Sequence, residues 1–409
     1  MTRAMEPGNI WILNHYAGTG TSPSTRHYDL SRELVKRGHR VTIFAAGFNY
    51  QKLVEERLSP GETSKTEDHE GVRFVWLRTF PYLENSWRRA VNMLSYAWRV
   101  INVAGKLDEK PDAIIGSTIH PLAAVAGYIL ARRKRSRFIF EVRDLWPQSL
   151  IDIGALTPRH PATWVLREME RFLYRKAQVI ITLLPYADRY IAGLGVPKEK
   201  VVWIPNGADL ARYENIRAYE GGTGERFTIM YLGAHGKMNA LDSVIDAAEI
   251  VQQRGLARVR FVFVGGGPEK KNLIDYAQRR NVANVEFREI VPKNEIFKVM
   301  SEADAFVFNL EDLPFNYGVS SNKLFDYLAS ARPILFSGNT ANNPVSEAGA
   351  GFSLPPRSPD RLADAVSSLL MLTPEERIEM GKRGFAYMKN NHDIRQLAVA
   401  YERVALHGA

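Results

Sequence analysis

The 409-residue sequence predicts an α/β protein made of two doubly wound halves. Three observations carry that expectation. Short apolar runs that read as buried strands alternate with longer helix-spaced segments along almost the whole chain. The strand–loop–helix–strand units so formed are of the kind that builds a parallel sheet. A turn at Pro205-Asn206-Gly207 and a linker-like stretch, Glu220-Gly221-Gly222-Thr223-Gly224-Glu225, then divide the chain near its middle.

Taken in order, Asn9-Ile10-Trp11-Ile12-Leu13-Asn14 reads as a strand. A Gly/Ser/Thr/Pro loop follows, then a helix over about residues 25–37 that Gly38 stops, then a strand over 41–46. Further strands are expected at 113–115, 138–142, 179–184 and 201–204, with helices near 122–132 and 164–176. The second half places strands at 227–232, 259–264, 285–287, 305–310 and 334–336, between helices near 241–254, 270–280, 295–301 and 323–330. The tail is helical from about residue 359 to 406. The expected domains are residues 1–207 and 208–390. Two facing nucleotide-fold domains leave a cleft beyond the carboxyl ends of their sheets, where such folds bind ligands.

Composition narrows the function. No run of eighteen apolar residues exists, and Met1-Thr2-Arg3-Ala4-Met5-Glu6-Pro7 lacks the apolar core of a signal peptide, so the expected compartment is the cytoplasm. With no Cys, disulfides and thiolate metal sites are excluded. A formal charge of +9 favours anionic partners: phosphorylated ligands, an anionic membrane surface or nucleic acid. The sequence has no zinc-finger spacing and no RNA-recognition strand signature, and no nucleic-acid partner is expected.

The stretch Gly318-Val319-Ser320-Ser321-Asn322-Lys323-Leu324-Phe325-Asp326-Tyr327-Leu328-Ala329 reads as a loop entering a helix. Ser320 or Ser321 is placed to cap that helix, whose free N–H groups and positive dipole end suit a phosphate. Asn322 and Asp326 share one face. Asp326 suits a ribose diol and Lys323 a phosphate, although a solvated helix with a Lys323–Asp326 pair fits the same residues. The stretch resembles the donor-binding helix of GT-B glycosyltransferases of family 4, especially bacterial members acting on amino sugars in cell-surface polysaccharide synthesis. There a Glu, seven residues and a second Glu hold the donor sugar and the ribose. Asp326 fills the second place and Gly318 the first, so only ribose binding carries over.

The resemblance implies a GT-B architecture, with the last helix, 391–409, packing back on the first domain. It implies transfer of a hexose or N-acetylhexosamine-type sugar, with retention and without a metal, from a nucleotide-sugar, UDP-linked, to a saccharide or lipid-linked acceptor. The nucleotide-sugar is substrate, and no cofactor is expected. Gly18-Thr19-Gly20-Thr21-Ser22-Pro23-Ser24-Thr25-Arg26 matches a loop that faces the diphosphate or the acceptor, with Arg26 adding charge. In Gly233-Ala234-His235-Gly236-Lys237-Met238-Asn239, the family's phosphate-gripping Arg and Lys fall on Ala234 and Asn239. Phosphate charge then has to come from His235, Lys237, Lys323 and helix N-termini, while a solvated Lys237 and a structural His235 stand as alternatives. Gly265-Gly266-Gly267 fits tight turning as well as ligand contact. Arg288-Glu289-Ile290-Val291-Pro292 corresponds to a nucleobase-reading segment.

Glu141-Val142-Arg143-Asp144-Leu145-Trp146-Pro147 leaves a buried strand at its carboxyl end. Asp144 suits orientation or deprotonation of a hydroxyl and Arg143 neutralisation of charge; a buried Arg–carboxylate pair is the alternative. His120, at a similar strand exit, is a further candidate beside a satisfied structural histidine. Trp87, Val91, Leu94, Trp98 and Ile101 recur at helical spacing, with Arg88, Arg89 and Arg99 on other faces. Such a stripe packs in a core or rests at a bilayer interface, the latter implying peripheral contact at the inner face of an anionic membrane. Arg132, Arg133, Lys134, Arg135 and Arg137 suit headgroups or simply a helix C-terminus. Two rival functions share the fold: a sugar-nucleotide epimerase, and an inactive membrane-surface scaffold.

Overall fold

The computed structural model describes residues 7–20, 25–83, 87–118, 120–214, 216–291, 295–313 and 315–408. The chain forms two compact units, Met1–Pro205 with Ile394–Ala409, and Asn206–Asp393.

Unit 1 runs β1 (Asn9–Leu13), α1 (Arg26–Lys36), β2 (Arg40–Ala46), the short pair β3 (Phe48–Asn49) and β4 (Val54–Glu55), β5 (Ser64–His69), β6 (Val72–Leu77), α2 (Trp87–Gly105), β7 (Ala113–Ser117), α3 (Pro121–Lys134), β8 (Arg137–Val142), α4 (Gln148–Asp152), α5 (Pro161–Lys176), β9 (Val179–Thr182), α6 (Ala187–Gly193) and β10 (Val201–Trp203). Its eight-stranded sheet has the order β10-β9-β8-β7-β1-β2-β6-β5. Only β5 pairs antiparallel in it, on β6. In register, Ile10 and Ile12 face Val41 and Ile43 on one side and Ala113 and Ile115 on the other. These apolar strands are covered on both faces, as parallel strands require. The sequence reading lacks β5 and β6. β5 is a polar edge strand, Ser-Lys-Thr-Glu-Asp-His, which carries no hydrophobic period.

Unit 2 runs β11 (Phe227–Leu232), α7 (Leu241–Gln253), β12 (Val259–Val264), α8 (Lys270–Arg279), β13 (Val285–Arg288), α9 (Ile296–Met300), β14 (Ala305–Asn309), α10 (Asn322–Ala329), β15 (Ile334–Ser337), α11 (Pro344–Ala348), β16 (Gly351–Leu354), α12 (Pro359–Met371) and α13 (Pro374–Asn391). Its six strands, in the order β13-β12-β11-β14-β15-β16, are all parallel.

Two expectations need correction here. The stretch Glu220-Gly221-Gly222-Thr223-Gly224-Glu225 is a packed turn inside unit 2, where the Gly221 and Gly222 carbonyls accept from Arg377 at 2.6 Å and Arg258 at 2.7 Å. The two units divide after Pro205, within the Pro205-Asn206-Gly207 turn and two residues from the expected 207/208 boundary. The helical tail is also broken. Pro374 starts α13 behind Thr373, which forms a reciprocal capping box with Glu376. The final helix, α14 (Ile394–Leu406), belongs to unit 1 and packs on α1. Its Glu402 accepts from Arg37 and, at 2.8 Å, from His39 Nε2.

α13 lies against the end of α10 so closely that a Cβ on Gly381 would sit 2.0 Å from the Ala331 carbonyl oxygen. Backbone cannot retreat as a flexible side chain does. Gly381→Ala is therefore expected to lower the unfolding free energy by about 1–3 kcal/mol, read from the urea midpoint. An unchanged midpoint would mean that α13 slides freely on α10.

Candidate active site

In unit 1 the carboxyl end of the sheet is organised by Glu141, the fifth residue of β8, which is fully buried. Its Oε1 accepts from His27 Nε2 at 2.8 Å and from Ser117 Oγ at 2.9 Å, and Arg26 lies 3.5 Å from Oε2. Burial alone would raise this carboxyl, but His27 and Arg26 hold it well below the usual carboxylate range. Burial likewise outweighs the pull of Glu141 on His27 and keeps the imidazole neutral. His27 Nδ1 therefore accepts the Asn14 amide at 3.0 Å while Nε2–H donates to Glu141.

Arg26 is consumed by this arrangement. Its guanidinium donates to the Pro205 carbonyl and, at 2.8 Å, to that of Ile204, and the residue is only 4% exposed. The expectation that Arg26 faces an acceptor is thus overturned by a buried structural role. In the loop before it, Gly18 is buried and Gly20 packs on Tyr28, where a Cβ would come within 3.1 Å of the ring. Thr21, Ser22, Pro23 and Ser24 lie outside the described residues.

The neighbouring strand ends carry the other candidates. Thr118, just past β7, accepts the Arg143 N–H on Oγ1 at 3.0 Å, which ties the exits of β7 and β8 together. Arg143 presents NH1 without a partner among the described residues. Asp144 is exposed. Dense surroundings hold its carboxyl above the usual carboxylate range, and Arg143 pulls against that shift. His120 is buried, and burial lowers it to about 3, so it is neutral. Its Nε2 lies 2.7 Å from Nδ1 of His15, a residue that sequence reasoning missed. The available signal was position: both histidines follow the ends of neighbouring strands.

In unit 2 the loop entering α10 is fixed from two sides. Asn206 donates through its backbone N–H to Ser320 Oγ at 3.0 Å and through its amide to the Ser320 carbonyl at 2.6 Å. Asn342 accepts from the Val319 N–H at 2.7 Å and donates back to its carbonyl at 3.1 Å. Neither serine caps the helix as expected. Ser321 occupies the cap position without a side-chain hydrogen bond, and the Ser320 hydroxyl serves Asn206.

Lys323 does not pair with Asp326. Its ammonium donates to Asn239 Oδ1 and, at 2.9 Å, to the Tyr231 hydroxyl, and it lies 4.8 Å from the Tyr231 ring centroid. No carboxylate among the described residues pairs with it, and burial pulls it down to about 7. Asn239, which stands where the resemblance expects a lysine, instead receives this one. Asp326 accepts from the Tyr213 hydroxyl on Oδ1. Asn322, half-buried, opens the same helix face.

His235 is fully buried among Tyr231, Phe263 and Phe287, and neither ring nitrogen has a partner among the described residues. Burial lowers it to about 4, which removes it as a cation. Lys237 is exposed on a short turn. The glycines of the next loop have a packing cause: a Cβ on Gly265 would lie 2.1 Å from the Gly233 carbonyl oxygen, and one on Gly267 2.5 Å from that of His235.

On α2 the aromatic stripe points outward. Trp87, Trp98 and Leu94 are 71%, 61% and 56% exposed, whereas Asn92, Tyr96, Val100 and Ala104 face the core. Core packing therefore does not describe Trp87, Leu94 and Trp98, whereas Val91 and Ile101 are half-buried. Arg88 is exposed, Arg89 half-buried, and Arg99 stacks over Trp98 at 5.1 Å. In the basic cluster at the end of α3, Lys134 donates to the Leu107 carbonyl and Arg137 to that of Ala405, so these two serve the fold. Among the described residues no helix is long and apolar enough to cross a membrane.

Residues 21–207 match the family model described as a glycosyl transferase 4-like domain, and residues 226–371 match that of the glycosyl transferases group 1. The chain belongs to the GT-B glycosyltransferases. This GT-B chain is 22% identical to the probable glycosyltransferase WbjE of Pseudomonas aeruginosa, over 64% of its own length and 66% of that protein. It is 23% identical to the putative colanic acid biosynthesis glycosyl transferase WcaI of Escherichia coli (strain K12), over 62% and 64%. It thus spans just under two thirds of the length of these curated relatives. Anabaena Alr3699/HepE, solved in complex with UDP-glucose, has the same fold at a TM-score of 0.68 and 14% identity, over 97% of this chain and 99% of that one.

Removing the central charge of unit 1 tests its role. Glu141→Gln would leave Arg26 uncompensated and is expected to cost about 3–5 kcal/mol in urea unfolding at pH 7. Because the folded-state carboxyl is depressed, the advantage of wild type stays level down to the ordinary carboxylate range and shrinks only in stronger acid.

Proposed function

We propose that the protein transfers a hexose or N-acetylhexosamine-type sugar from a UDP-linked donor to a saccharide or lipid-linked acceptor, with retention, in cell-surface polysaccharide biosynthesis. The observation that carries this reading is Lys323. A half-buried ammonium at a helix start, neutralised by no carboxylate among the described residues, is arranged for an incoming anion. It supplies by another route the cation that Ala234 and Asn239 do not. The reading gives the leaving diphosphate to Lys323, Lys237 and the first N–H groups of α10, rather than to a metal ion. Asp326, oriented by Tyr213, receives the ribose hydroxyls, with Asn322 and Ser321 beside it.

On unit 1, Asp144 is assigned to the acceptor hydroxyl and Arg143 to the charge that develops as the bond to the diphosphate breaks. His120 is assigned to the same edge. As the acceptor oxygen bonds to the anomeric carbon, the carbon–oxygen bond to the diphosphate breaks and the hydroxyl proton is released. The names of the relatives, a putative colanic acid biosynthesis glycosyl transferase among them, support the polysaccharide setting.

The exposed face of α2 supports peripheral contact with an anionic membrane. Trp87, Leu94 and Trp98 offer apolar surface, with Arg88, Arg89 and Arg99 as partners for headgroups.

Two measurements test these assignments. UDP-glucose, whose diphosphate does not titrate near neutrality, should bind more tightly at pH 6 than at pH 8.5, because Lys323 is charged below about 7. Lys323→Gln should weaken binding and flatten that dependence; a flat profile in wild type would remove Lys323 from the phosphate site. For the membrane, co-sedimentation with anionic vesicles should exceed that with neutral ones and fall as salt rises, with Trp87→Ala/Trp98→Ala reducing it. Equal, negligible sedimentation in every case would point to an acceptor free in solution.

A further inference from the structure

We propose that His15 is a positioning residue for His120: through the bond between their rings it sets which way His120 carries its proton toward the site edge. The inference rests on the proposed assignment of His120 to that edge. Three adjacent strands, β8, β7 and β1, end there and present Asp144, His120 and His15 in turn. The His15 ring is held between Tyr16 and Tyr96, each 4.4 Å away centroid to centroid and at 22° and 7° to it. Tyr96 is fully buried and anchored by its hydroxyl to the Phe44 carbonyl at 2.8 Å. A ring clamped on both faces cannot turn, so Nδ1 is kept 2.7 Å from His120 Nε2.

Burial keeps both rings neutral, and one N–H therefore lies between them. If His15 donates it, His120 Nδ1 carries the second hydrogen and is a donor. If His120 donates, its Nδ1 is a bare acceptor. The bearing of His120 toward anything else is thus decided by His15. The two remaining nitrogens, His120 Nδ1 and His15 Nε2, are buried without a partner among the described residues. Leaving such atoms unpaired is costly, and a phenylalanine would fill the same stack without that cost. A merely structural position has no need of the imidazole.

The test uses the full chain. His15→Phe keeps a flat ring between the tyrosines and removes the hydrogen bond; His15→Asn keeps a polar atom near the place of Nδ1. Nitrogen-15 spectra of the imidazoles, with His120 assigned through His120→Gln, report its tautomer directly. UDP release from UDP-glucose in the presence of acceptor gives kcat and KM. The expected result is a changed His120 tautomer and a kcat about tenfold or more lower in His15→Phe, with donor KM and melting temperature little altered, and partial recovery in His15→Asn. An unchanged His120 spectrum, or a changed spectrum with unchanged kcat, overturns the proposal. Should His15→Phe fail to fold, His15→Asn decides: a kcat below that of wild type with a wild-type His120 spectrum, or a changed spectrum with a wild-type kcat, would overturn it. If wild type releases no UDP, the sugar-transfer reading fails instead, and the spectra alone decide whether the rings are coupled.

Discussion

Glu141 is an anion without access to solvent, and unit 1 is assembled around the need to balance it. The groups that do so come from the start of α1 and the end of β7: Arg26, His27 and Ser117. The two terminal nitrogens of Arg26 also donate to the carbonyls of Ile204 and Pro205, beyond β10. One carboxylate so fixes a helix, two central strands and the segment leaving the sheet. A buried pair of this kind adds little net stability over apolar packing. Its contribution here is geometric, since any other register would leave a charge in the core without a partner. The edge bearing Asp144, Arg143 and His120 inherits that rigidity.

Unit 2 reaches a defined edge by other means. Two loops at the carboxyl ends of β11 and β12 touch backbone to backbone, which only glycine at 265 and 267 permits. The contact buries His235 and turns the following residues toward α10. There Asn239 meets Lys323 across the edge of the sheet. Steric closeness, rather than charge balance, is the organising constraint of this half.

Much of the fold was legible because parallel strands are apolar on both faces. Runs such as Ile10 to Leu13 and Phe261 to Val264 stand out against any background. β5 did not, since a polar edge strand is identified by its neighbour and not by its own residues. The candidate site was legible by residue type more than by structural surroundings. Arg26 and Asp144 are both charged residues beside strand ends, yet the first closes a buried network and the second meets solvent. Sequence carries no sign of that difference, which depends on Ile204 and Pro205, far away in the chain. His15 was hidden for the same reason: its meaning comes from His120, 105 positions on. Lys323 was placed correctly at its helix, but its partners, Tyr231 and Asn239, lie on separate elements that only tertiary packing joins.

The loop before α10 has a consequence for the thermodynamics of ligand capture. Val319 and Ser320 have backbone groups engaged by Asn342 and Asn206, two residues distant in sequence from each other. Ordering a flexible loop at the moment of association subtracts from affinity, by on the order of 1 kcal/mol for each residue whose backbone freezes. In this chain that loss is incurred once, during folding, when the two asparagines close on the loop. For an anion bound at the start of α10, as proposed, the donors would already be aligned, and its heat of binding would reflect contact rather than rearrangement.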